Sequence, residues 1–139
     1  MSNTAHQRIS PPRRGASTLE LAMTLPVFLT LSFGIIEFGR GFMVQQFLTN
    51  GAREGARYAS LPNSTSADVV AKTREFLSKG SIDPAKVAIT VTPTDLSSAK
   101  SGTQVKVHVR VAYSDVTWMP VPTFIAGRDL TSETAMRHE

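Results

Sequence analysis

The chain has 139 residues, 15 Lys and Arg against 11 Asp and Glu, and no cysteine. That length fits one domain, or a small domain with an anchor; without cysteine, a disulfide scaffold, a thiolate zinc site and a thiol nucleophile are excluded. The formal charge of +4 is local, because Arg8, Arg13 and Arg14 supply +3 before residue 15 and the remainder is nearly neutral, which argues against nucleic-acid binding.

Residues 1–15 are polar, basic and proline-bearing, with no hydrophobic period. Such a segment fits a disordered tail or a leader. From Leu21 to Ile36 the chain carries no charge, and apolar character continues through Phe38, Phe42, Met43 and Val44. A membrane-spanning helix needs about 20 mostly apolar residues, so the expected span is 19–44. The run is apolar on all sides, which disfavours a buried helix of a soluble protein. The arginines just before it predict a cytoplasmic N-terminus and an extracytoplasmic remainder. Pro26 predicts a kink, which membrane helices tolerate when the freed carbonyl finds another partner. Glu37 and Arg40 stand three apart, so they are expected to share a helix face and partly neutralise each other. Arg40 is also placed to snorkel toward headgroups.

The helical pattern continues through residues 45–60, where Phe47, Gly51, Gly55 and Tyr58 recur at spacings of three and four. Gly51 and Gly55 form a G-x-x-x-G, which lets another backbone come close. Gly34, Gly39 and Gly41 lie upstream, and a helical glycine costs about 1 kcal/mol against alanine. Gly34, Gly39, Gly51 and Gly55 are therefore candidate packing positions against other helices. Leu61-Pro62-Asn63 ends an element of some forty residues, roughly 60 Å long. That is about twice the hydrocarbon thickness, so its second half must lie outside the bilayer.

Residues 61–139 read as a small α+β body. Ser66 is the expected cap of a short helix over 67–79, with Gly80 just past its end. Val87, Ile89 and Val91 alternate with polar or small residues. Val105, Val107, Val109, Val111 and Tyr113 do so more strongly, and the intervening loop supports antiparallel pairing. Residues 114–129 form a proline-punctuated loop expected to fold over the sheet, and 130–137 supply a third strand. A sheet with one Val-rich face needs a cover, and the amphipathic half of the long helix is the natural lid. The fold class is thus α+β: a long N-terminal transmembrane helix continuing into an antiparallel sheet body with one short helix.

No catalytic constellation is visible, so the chain reads as non-enzymatic, without cofactor or metal. His6, His108 and His138 show no metal-ligand spacing, and His108 falls on the polar face of a strand. Asn63-Ser64-Thr65 matches the glycosylation sequon, a pattern common by chance. One acidic residue does need a partner. Glu20 sits at the edge of the apolar run, where a carboxylate is costly. If a peptidase cuts after Gly15, the new amino group of Ala16 is a cation one helical turn from Glu20. Glu20 then pairs with its own terminus or with that of a neighbouring subunit. As the other option, it faces headgroup water near the helix N-terminus.

Arg13-Arg14-Gly15 followed by Ala16-Ser17-Thr18-Leu19-Glu20 resembles a class III, prepilin-type signal. Phe33 to Phe42, then Thr49 to Ala59, are similar to the TadE-like pseudopilins, and Leu130 to Arg137 resemble their ending. Leu21 departs from the aromatic that often follows the glutamate. TadE and the related TadF share this build. The resemblance implies a pilin-like fold and a minor pilin of the tight-adherence, Flp-type pilus. Its leader, residues 1–15, would be removed by a prepilin peptidase; the helix would be 16–60 and the extracytoplasmic body 61–139. It also implies membrane lipid, an inner-membrane platform with a cytoplasmic secretion ATPase, the major Flp pilin and other minor pilins as partners. The alternatives are a single-pass anchored binding module without processing and a secreted hydrolase with an ordinary signal peptide.

Overall fold

A computed structural model describes residues 14–80, 82–118 and 127–139. Most of the expected leader and the centre of the proline-punctuated loop lie outside the described residues. Helix α1 (Arg14–Ala59) is followed by α2 (Ser66–Ser78), a 3-10 turn at Pro84–Lys86, and strand β1 (Ala88–Thr92). Strand β2 (Gln104–Ala112), a second 3-10 turn at Tyr113–Asp115 and strand β3 (Asp129–Arg137) complete the order. The fold is α+β, as the hydrophobic periods predict. The chain divides into two compact units, Met1–Ile36 and Glu37–Glu139.

In the first unit the described residues are all helical, and the large apolar side chains from Leu19 to Ile36 are exposed. Pro26 lies inside the helix, which runs through it without interruption. The hydroxyls of Thr24, Thr30 and Ser32 donate to the carbonyls of Glu20, Pro26 and Phe28, each at 2.8 Å. Each of these three hydroxyls is thereby satisfied by its own helix, an arrangement that suits an apolar surrounding.

The second unit is built on an antiparallel sheet in the order β1-β2-β3. Val107 pairs with Val91 on one side and Thr134 on the other, and Val109 with Ile89 and Ser132. Partners across a ladder share a face, so Val105, Val107, Val109 and Val111 join Leu130, Met136, Ile89 and Val91 on one side. All four β2 valines are buried. The opposite face carries Lys106–Glu133 and Arg110–Asp129 ion pairs at 3.2 and 2.5 Å. Half-buried His108 stands opposite Glu133 on that polar face.

The second half of α1 is the lid over the valine face. Val44, Leu48, Ala52, Ala56 and Ala59 recur at near-helical spacing, are buried, and join the β2 valines in one core. Gln45 Nε2 donates to the Thr131 carbonyl at 2.9 Å, and the Ser132 hydroxyl donates to Thr49 Oγ1 at 3.3 Å. At the far end His138 Nδ1 lies 2.9 Å from the Ala59 carbonyl. A carbonyl only accepts, so Nδ1 carries the proton and closes an orphan acceptor of the helix terminus. Helix and strand therefore run the same way. Their lengths agree: the fourteen-residue step from Gln45 to Ala59 covers about 21 Å, and the seven-residue step from Thr131 to His138 about 24 Å.

The connection to α2 turns at Asn63, whose φ of 65° is one that asparagine tolerates better than most residues. The cap of α2 is Thr65, which corrects the expectation for Ser66. The Thr65 hydroxyl accepts from the Asp68 backbone N–H, and the Asp68 carboxylate accepts from the Thr65 N–H, a reciprocal capping box. Ser66 instead donates its hydroxyl to the Thr94 carbonyl. Strand β2 also ends one residue earlier than expected: Tyr113 opens the 3-10 turn and leaves the valine row.

Candidate functional site

The residues singled out by sequence fall into two groups. Gly15, Ala16 and Glu20 lie at the start of α1 in the first unit, all exposed. Glu20 stands four positions after Ala16, so helical geometry puts them on one face, one turn apart. The mostly apolar, exposed surface of the helix begins just after them. None of the most apolar stretch of α1 is buried within the chain, and α1 is long and apolar enough to cross a membrane.

The candidate packing glycines separate into two kinds. A Cβ on Gly51 would lie 2.8 Å from Leu77 Cδ2, and one on Gly55 would run into the Thr73 hydroxyl and meet Val107 Cγ1 at 3.2 Å. Gly51 and Gly55 thus let α2 and β2 approach α1 within this chain. Gly80 follows the same logic against Phe47, whose Cδ1 would be 2.8 Å away. Gly34 and Gly39 are different: a Cβ on either would meet nothing within 4 Å.

Glu37 and Arg40 do not serve each other as the sequence led us to expect. The Tyr113 hydroxyl donates to Glu37 Oε1 at 3.1 Å. Arg40 Nε donates to the Val116 carbonyl, and its guanidinium stacks over the Trp118 ring, 4.6 Å from the centroid. Both side chains are therefore held by the turn after β2. Burial, and next the hydrogen bond to Glu37, push the Tyr113 phenol above its ordinary value. Phe38 and Phe42 pack edge to face at 4.8 Å and remain exposed. With Gly41, Gln45, Tyr113 and Leu130 they line an open apolar groove of about 250 Å³.

Sequence reasoning missed Tyr113, Trp118 and His138 as partners of α1. Each lies more than seventy residues from the helix group it meets, and no local spacing reports such a pairing. Among the described residues, no cluster of three or more His, Asp or Glu side chains is placed to hold a metal ion. No buried side-chain nitrogen or oxygen among them lacks a hydrogen-bond partner. What the arrangement offers chemically is apolar surface, one acidic residue at its edge, and a well-packed body.

Neither curated proteins nor solved structures gave a match to the chain. A scan against family models did: residues 15–57 match the model described as TadE-like protein. The match begins at the candidate cleavage residue and ends two residues before α1 does. It takes in Glu20, the exposed apolar run, all four candidate packing glycines, and the Glu37 and Arg40 anchors. Residues 15–57 are a TadE-like protein family domain, which implies a protein associated with pilus assembly.

Proposed function

We propose that this protein is a minor pilin or pseudopilin of a tight-adherence, Flp-type pilus, structural and not enzymatic. The observation that carries this reading is the coincidence of the TadE-like match with the exposed apolar helix. The precursor inserts with its arginine-rich N-terminus in the cytoplasm and its body outside, and a prepilin peptidase cuts between Gly15 and Ala16. The new Ala16 ammonium then becomes the partner of Glu20 on an adjacent subunit. In lipid such a pairing removes the cost of an isolated carboxylate, about 2.5–3.5 kcal/mol at a span centre and less near its edge. Gly34 and Gly39, open on this chain, let neighbouring helices approach closely in the assembly. The implied partners are the peptidase, membrane lipid, the inner-membrane platform with its ATPase, the major Flp pilin and other minor pilins.

Glu20→Ala tests the reading. The variant should insert and fold as before, because Glu20 is exposed. Pilus number per cell should fall severalfold; an unchanged number would contradict the role given to Glu20. The competing reading is a single-pass anchored module, favoured only by the body having a core of its own. An anchor needs no cleavage after Gly15, so processing separates the two.

A further inference from the structure

We propose that Glu37 to Phe42, with Tyr113, Val116 and Trp118, form a collar that rests in the phospholipid headgroup layer and sets the depth of the chain in the membrane. The proposal rests on the single-span reading above and adds a lipid-binding surface on the body to it.

In the second unit, the exposed aromatic side chains among the described residues are Phe38, Phe42 and Trp118, while Phe47, Tyr58 and Phe76 pack against the core. Trp118 is 73% exposed and Phe38 69%. Phe38 and Phe42 pack on each other beside Tyr113, and Trp118 stacks on Arg40, which stands between the two phenylalanines in sequence; a body folding for water alone has no reason to gather its uncovered rings at one level of α1. Indole and phenol rings favour the boundary between hydrocarbon and water, where an apolar body and a polar edge are both satisfied.

Glu37 and Arg40 follow directly on the uncharged run. Each has a protein partner that lowers the cost of leaving bulk water: the Tyr113 hydroxyl for Glu37, and the Val116 carbonyl and Trp118 ring for Arg40. A guanidinium over an indole face is also one of the more favourable cation–π pairs. The groove between Phe38, Phe42, Tyr113 and Leu130 is lined almost entirely by carbon, a surface that acyl-chain ends cover without unpaired polar groups.

The helical stretch from Ala16 to Ile36 covers about 31 Å, close to the roughly 30 Å of a bilayer's hydrocarbon. The hydrocarbon is then filled before Glu37. The headgroup layer on that side, several ångströms deep, falls to the next one to two turns, which carry Phe38, Arg40 and Phe42. Glu20 falls near the opposite boundary, about 25 Å back along the helix. The span therefore ends near Ile36, shorter than the 19–44 suggested by hydropathy, and residues 37–44 belong to the interface and the body.

Trp118 is the single tryptophan of the chain, so its fluorescence reports on the collar without a mutation. The experiment uses the full-length protein reconstituted in phosphatidylcholine–phosphatidylglycerol vesicles carrying bromine at shallow or deep acyl positions. Resistance to alkaline extraction is measured on the same samples. We expect emission quenched more by shallow than by deep bromine, and an iodide quenching constant severalfold below that in detergent-free water for a free indole. Iodide access without bromolipid quenching, in a chain that resists extraction, would overturn the collar and leave the span intact. A chain released by alkali would remove the span and the collar together. Protection that appears only at high protein-to-lipid ratio would assign the surface to a second copy of the chain and overturn the lipid assignment.

Discussion

The two halves of α1 are one helix with two kinds of surface. Between Leu19 and Ile36 the large side chains point outward on every side, and the hydroxyls bond back to their own backbone. From Val44 to Ala59 one stripe is buried and consists of small residues with one leucine, while the other faces are polar. The most apolar window of the first half is not buried among the described residues, and its surface suits an apolar surrounding. The second has its partners in α2 and the sheet. Glycine makes the contrast sharpest: at Gly51 and Gly55 its missing Cβ is occupied by this chain, and at Gly34 it is left open.

The predictions probe that division. The largest effect is expected at Leu48, fully buried in the stripe. Leu48→Ala should cost about 3 kcal/mol of body stability by denaturant unfolding; a loss below about 1 kcal/mol would mean that this half is not a core helix. Gly55→Leu should cost about 2 kcal/mol through overpacking against Thr73 and Val107. Gly34→Leu should leave body stability unchanged while reducing pilus number. If the two variants behaved alike, the division of the helix would fail. Thr65→Ala removes one side of the capping box and should cost about 1 kcal/mol.

The smallest effect concerns alkaline pH. The Tyr113 phenol is raised above 10.0, so the folded chain keeps a proton that the unfolded chain releases. This contribution is complete below the ordinary tyrosine value and is lost as pH rises through the raised one. Tyr113→Phe should therefore flatten the decline in stability above about pH 10. An unchanged slope would show that Tyr113 does not carry the effect.

Periodicity made most of the fold legible. Valines at every second position of β2 announce both strand and buried face, and the strand's mate in β1 follows from the same alternation. The lid was legible because a single valine face must be covered and α1 had the one matching stripe. The contacts of Glu37 and Arg40 were not legible, since each depends on a residue some eighty positions away after a turn that rotates Tyr113 out of its strand. The cap of α2 failed for a local reason: Thr65 and Ser66 are adjacent and both competent, and only the spacing to Asp68 favours Thr65. At the candidate site, Gly15, Ala16 and Glu20 were readable as a motif because cleavage chemistry needs a short contiguous segment. The aromatic surface near Trp118 was not, because the chain assembles it from α1 and the far end of β2.

The central claim is that the first half of α1 becomes an assembly helix after its leader is removed. The most direct test is the intact mass and N-terminal sequence of the protein isolated from its native membrane. The account predicts a chain that begins at Ala16. A chain that still carries Arg13-Arg14-Gly15 would contradict it, leaving Glu20 an interfacial residue and the protein an anchored module.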